Sequence, residues 1–205
     1  MADFVGVSDV HFWKVTKDTS EEYTAGEVKV LSRTGEVSQT TEQAQAAVYY
    51  SNIVAYVINS RGATTVTAVL EGLKLSVLAE LLGVELDAET GAIYDSGEAK
   101  DLSFGISFRA DYVGEEGARY YSFPKVAISI PDEATKTKDA GTDTLNQTVT
   151  ITASTTIHKF ESTGKGAKVV ICDTENSGNL LDLTKFHDAA ITPDSLATVC
   201  KKASA

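Results

Sequence analysis

The chain has 205 residues, of which 42% are apolar, 23% charged and 8% aromatic, the composition of an ordinary globular domain and not of collagen, coiled coil or disorder. With 18 basic against 29 acidic residues the net charge is −11, spread over the first three quarters, so no basic stripe is present to grip nucleic-acid phosphates. Two late cysteines, Cys172 and Cys200, exclude a disulfide framework. No run approaches the roughly 18 apolar residues of a membrane span, and the first residues lack a secretory pattern, so a soluble, cytosol-made protein is expected.

In chain order, period-two alternation of Val, Ile, Thr, Phe and Tyr predicts strands at Val10–Thr16, Glu27–Leu31, Glu36–Thr41, Ala46–Ile58 and Thr64–Glu71. Leu73, Val77, Leu78, Leu81 and Leu82 then fall at helical spacing, and Gly83 follows as a C-terminal cap. Residues Asp87–Lys100 read as irregular. The clearest strand is Phe104–Tyr112, which sets Phe104, Ile106, Phe108, Ala110 and Tyr112 on one face. A turn at Gly114–Gly117 leads to a return strand from about Arg119 to Ile130. In it Pro124, which cannot donate a ladder hydrogen bond, marks an edge or a bulge.

Pro131–Gln147 reads as a long polar loop, a feature that is usually functional or ordered by a partner. Strands at Thr148–Ile157 and Ala167–Asp173 follow. The remainder shifts in composition, with short helical signals at Leu180–Phe186 and Ser195–Lys202, and is expected to form an arm. The predicted organisation is a β domain over 1–173 and a C-terminal arm or extension over 174–205. The predicted fold class is mainly β, sandwich-like or barrel-like, with one flanking α-helix.

Catalytic patterns do not emerge. His11, His158 and His187 are isolated, and neither cysteine sits in a C-x-x-C pattern. Ser162-Thr163-Gly164-Lys165-Gly166 lacks both the first glycine and the hydroxyl residue of a phosphate loop, and reads as a turn. The pairs Glu21-Glu22 and Glu115-Glu116 lie in apparent turns as solvated charge. No enzyme, catalytic residue, metal site or cofactor is expected. Long strands, a polar loop and a terminal arm suit assembly more than turnover.

The order of segments resembles the major tail proteins, or tail tube proteins, of long non-contractile-tailed bacteriophages of Gram-positive bacteria. The similarity runs from about Gly6 to Ile157. It rests on Gly6-Val7-Ser8-Asp9-Val10-His11-Phe12, on Tyr49-Tyr50-Ser51-Asn52-Ile53-Val54-Ala55-Tyr56-Val57, on the helix ending in Leu81-Leu82-Gly83, on Phe104–Phe108, and on Thr135-Lys136-Thr137-Lys138 with Thr144–Ala153. Two departures stand out. Thr41-Glu42-Gln43-Ala44-Gln45-Ala46-Ala47 occupies the place of an acidic run, and the chain continues past about Asp173, where such proteins tend to end.

The resemblance implies a structural virion subunit whose hexameric rings join inner strands into a barrel and stack into a hollow tube for genome ejection. Implied partners are further copies of the chain, a tape-measure protein inside the tube, and tail terminator and distal tail or initiator proteins at its ends. DNA would transit the lumen without specific binding, no membrane is involved, and the protein would pass from host cytoplasm into the virion tail. Closing edges into a ring removes an aggregation hazard, and head-to-tail stacking propagates until capped.

Within that picture the wall falls on Glu36–Leu70 and Pro131–Ile157. Alternation puts Ser38, Thr40 and Glu42 on one face as candidate lumen residues, and acidic charge there would repel phosphates. Thr135, Lys136, Thr137, Lys138, Asp139 and Asp143 form a candidate inter-subunit loop that orders on assembly. The helix stripe is expected in the subunit's own core. Two alternatives fit the same alternation: a monomeric immunoglobulin-like binding module, and the tube subunit of a phage-tail-like bacteriocin that carries no genome.

Overall fold

A computed structural model of the chain describes residues 3–8, 10–98, 100–114, 117–129 and 146–202. The fold is mainly β, as predicted, a single antiparallel sheet that curls around its own core. The strands are β1 (Phe4–Val7), β2 (Val10–Asp18), β3 (Tyr23–Ala25), β4 (Lys29–Ser32), β5 (Thr34–Tyr50), β6 (Ile53–Leu70), β7 (Ser103–Tyr112), β8 (Ala118–Ile128), β9 (Gln147–Ala153) and β10 (Val170–Asp173). Along the sheet they run β3-β2-β7-β8-β9-β6-β5, with β1 on β7, β10 on β8 and β4 on β2.

Alternation builds the core. Val10 and Phe12 of β2, Phe104, Ile106 and Phe108 of β7, Tyr121 and Phe123 of β8, Val149 and Ile151 of β9, and Val66 and Ala68 of β6 point inward together. The predicted helix is α1 (Leu75–Leu82), which places Val77 and Leu81 against this cluster. It stops where Gly83 takes φ 68°, and the Gly83 and Val84 N–H groups donate to the carbonyls of Glu80 and Ala79.

The opposite face of β2 carries Trp13, fully buried over Gly105, where an added Cβ would lie 2.2 Å from the indole ring. Trp13 Nε1 donates to Tyr23 Oη (3.2 Å), which in turn donates to the Pro124 carbonyl (2.7 Å). Burial pushes the Tyr23 phenol up to about 12. Pro124 lies in a bulge, as expected: Phe104 pairs with Val126 while Ile106 pairs with Phe123, which leaves Pro124 and Lys125 opposite one residue of β7.

Three predicted strand boundaries are corrected. Ala46–Ile58 is not one strand: Ser51 (φ 51°) and Asn52 (φ 65°) form a two-residue turn joining β5 to β6, a conformation that favours small polar residues over a continued ladder. Thr148–Ile157 ends as a strand at Ala153, because the Asp18 carboxylate takes the Ile157 and His158 N–H groups (3.0 and 2.9 Å) and turns the backbone away. Ala167–Asp173 is paired on β8 only from Val170, while Ala167 bonds to Thr156.

Residues 174–202 contain α2 (Thr174–Ser177), a 3-10 turn (Leu183–Lys185) and α3 (Leu196–Val199). They pack on the outer face of β8 and β10, where Phe186, Ile191 and Cys200, each 0% exposed, join Tyr120, Ala118, Cys172 and Leu183 in a second, smaller core. Ser122 Oγ donates to the Ile191 carbonyl (2.7 Å), and the Asp194 carboxylate accepts from the N–H groups of Glu161 and Ser162, fixing the segment at two further points.

Candidate assembly interface

The β5–β6 hairpin divides into two halves with different surroundings. Its base, from Thr34–Thr41 and Thr64–Leu70, is paired on to β9 and covers the core; Thr41 and Thr64 close it with a hydroxyl–hydroxyl hydrogen bond of 2.8 Å. Beyond this point the register slips between Thr41 and Gln43, and every described residue from Glu42 to Arg61 except Val48 is exposed. The two strands then continue as a free-standing arm, paired only to each other among the described residues. At 3.3 Å per residue, the strand from Gln43 to Tyr50 reaches about 25 Å.

This arm has the wrong chemistry for water. From Gln43 through Ser60 it contains no charged residue, in a chain that is 23% charged. Tyr49, Tyr50, Ile53, Val54, Tyr56, Val57 and Ile58 stand between 47 and 70% exposed. A long, uncharged, apolar edge is a template for another chain, and proteins that stay monomeric blunt such edges with lysine, proline or a covering element. Gln43–Ser60 contains neither lysine nor proline, and among the described residues no strand pairs with its outer edges.

The outer face of the hairpin base is different. Opposed residues share a face, so the pairs Ser38–Thr67, Thr40–Thr65, Thr67–Thr150 and Thr65–Thr152 place these hydroxyls together on the side away from the core. Thr148 extends the row, while Val149, Ile151 and Ala153 turn inward. Of the three residues predicted for this role, Ser38 and Thr40 lie in the row, both exposed. Glu42 is also exposed but stands at the register slip, over Gly62 on β6, where a Cβ would meet its carboxylate. The face is therefore hydroxyl-rich, with the exposed carboxylate of Glu36, opposite Val69, at one end of it, where the sequence reading stressed acidic charge at Glu42.

Sequence reasoning missed Thr65, Thr67, Thr148, Thr150 and Thr152, although the alternation in Thr64-Thr65-Val66-Thr67-Ala68 and Thr148-Val149-Thr150-Ile151-Thr152 carries the signal. The loop residues Thr135, Lys136, Thr137, Lys138, Asp139 and Asp143 lie outside the described residues.

The histidines and cysteines occupy structural positions. His11 and His187 stack with ring centroids 4.3 Å apart, and His187 Nδ1 shares a 2.8 Å hydrogen bond with Ser107 Oγ. Burial, then the neighbouring His11 and Arg109, push His187 down to about 4, which holds it neutral at pH 7. Burial likewise raises Cys172 and lifts Cys200 to about 11, so both remain thiols and not nucleophilic thiolates. Among the described residues no group of three or more His, Cys, Asp and Glu side chains converges to hold a metal, and no helix is long and apolar enough to cross a membrane.

No protein-family model and no curated protein matches the chain. Among solved structures it is similar to a chain of the anti-feeding prophage baseplate, determined by cryo-electron microscopy with six-fold symmetry imposed. The match has a TM-score of 0.37 and 7% identity, and covers 84% of this chain and 97% of that one. A score that low carries no statement about what this chain does.

Proposed function

We propose that the chain is a non-enzymatic structural subunit that assembles with copies of itself into a tail tube, as its resemblance to the tube proteins of long-tailed phages implies. The observation that carries the reading is the arm, a hairpin that is uncharged and largely apolar from Gln43 to Ser60 and exposed there except at Val48. Left in water it is an aggregation hazard; placed against neighbours in a ring or a stack it becomes interface. The hydroxyl-rich face suits the wall of a conduit. Threonine and serine hold water without offering the fixed cations that phosphates bind, so a polyanion slides past without being retained. Ser38, Thr40, Thr65, Thr67, Thr148, Thr150 and Thr152 are the proposed lumen side. The fuller proposal has stacked hexameric rings, a tape-measure protein within, terminator and distal tail proteins at the ends, and a location in the virion tail or in a genome-free, tail-like particle. It also assigns 1–173 as the tube body and 174–202 as the start of the extension fastened to its outer side.

Negative-stain electron microscopy of the purified protein over a concentration series, with light scattering, tests this reading. Hollow tubes or rings that appear above a threshold concentration are expected. A particle that stays monomeric at every concentration overturns self-assembly and leaves the monomeric binding module as the better account.

A further inference from the structure

The sheet has a seam. Among the described residues β1 is hydrogen-bonded only to β7 and β5 only to β6, and these two edges approach each other without pairing. Between them lies a groove of about 200 Å³, walled by Phe4 and Val7 on one side and Val37 and Gln39 on the other. Its floor is Phe108 stacked on Tyr121 at 4.9 Å, both nearly buried, and among the described residues no charged side chain lines it. Phe4 and Val5 on the β1 rim are 45% and 71% exposed. The groove is thus an apolar slot beside two unpaired backbone edges, on a molecule whose net charge is −11.

We infer that this groove receives the tip of the arm, Tyr50 and Ile53, from a second copy of the chain. The inference rests on the self-assembly reading and names its acceptor. Three features select the occupant. Charge matches: the arm and the groove are both uncharged, so docking desolvates no carboxylate. Size matches: a slot of about 200 Å³ takes one aromatic side chain, and Tyr50 and Ile53 at the tip are 63% and 70% exposed. Geometry excludes the chain's own arm: Gln39 lines the groove, and the strand from Gln39 to Tyr50 carries the tip about 35 Å away from it. Donor and acceptor are different surfaces, so the contact is head-to-tail, and it closes into a ring or propagates along a stack according to the rotation between copies.

Two exposed positions allow a test that leaves the core intact. One chain carries Ser51→Cys, which keeps Tyr50 and Ile53 in place, and a second, differently tagged chain carries Gln39→Cys; they are mixed under assembling conditions and oxidised with a mild thiol oxidant. The buried native thiols Cys172 and Cys200 serve as the internal background. A disulfide joining the two tagged chains is expected, at least tenfold above either same-site pair and above a Thr150→Cys control on the opposite face. Tubes without that cross-link overturn the groove and leave self-assembly standing. The cross-link in small oligomers that never extend to tubes supports the groove and overturns the tube. Monomers with no cross-link overturn both.

Discussion

Replacing Ile58 with lysine puts one charge into the middle of an arm that has none between Gln43 and Ser60. Ile58 is 53% exposed in the free subunit and pairs across the hairpin with Ala46, so its loss opens no cavity. Unfolding stability is expected to change by less than about 0.5 kcal/mol, as for ordinary surface positions. In an assembled state the same position would be covered. Burying the exposed half of an isoleucine is worth about 1 kcal/mol, and desolvating an unpaired ammonium adds roughly 2 kcal/mol even when its stem bends toward water. A penalty of about 3 kcal/mol per contact corresponds to roughly a hundredfold rise in the critical concentration for assembly. Sedimentation of the assembled fraction over a concentration series measures that threshold, and urea denaturation of the free subunit supplies the stability control. An unchanged critical concentration together with unchanged stability would refute the claim that the arm is interface.

Three further expectations concern the fold that carries the arm. Because His187 is pushed down to about 4 from an ordinary value near 6.5, the unfolded chain binds the extra proton first, so stability present above pH 6.5 falls as pH drops toward 4, by on the order of 2–3 kcal/mol; denaturation at stepped pH should show this, and His187→Phe should flatten it. Burial raises the Asp18 carboxylate, but hydrogen bonds from Lys125 (2.6 Å) and from the His158 and Ile157 N–H groups outweigh it and hold it below its usual range. Its contribution is present above about pH 4 and is lost as pH falls through the lowered value. Asp18→Asn should cost about 3 kcal/mol at neutral pH by stranding Lys125, and a loss under 1 kcal/mol in chemical denaturation would show the pair to be dispensable. Gly105→Ala drives a methyl group into the Trp13 ring and should cost about 3 kcal/mol, with indole fluorescence reporting the displaced ring; a fluorescence spectrum and midpoint like the parent's would contradict the close packing.

Strand alternation and helix periodicity were legible because each is a local consequence of burying one face. Phe104–Tyr112, Thr64–Leu70 and the leucine stripe of α1 all declare their inward sides in sequence. The hairpin turn was not legible, since Ser51 and Asn52 carry none of the glycine that usually marks a two-residue turn, and the apolar run continues through it. The early end of β9 was hidden for a different reason: the group that captures Ile157 and His158 is Asp18, 139 residues away from the first of them.

The sequence by itself determined the mainly β class, the core-facing helix with its glycine stop, an edge or a bulge at Pro124 and the absence of charge from Gln43 to Ser60. Those follow from composition and from periods of two and 3.6, which any local stretch displays. Tertiary structure alone decided that the uncharged stretch stands free of the body instead of lying in its core. It also brought the threonines of β6 and β9 beside Ser38 and Thr40, left the seam between β1 and β5, and folded residues 174–202 on to the outer side of β8. An apolar strand reads the same whether it is buried by its own chain or kept for another, because hydrophobicity records that a surface must be covered and not what covers it.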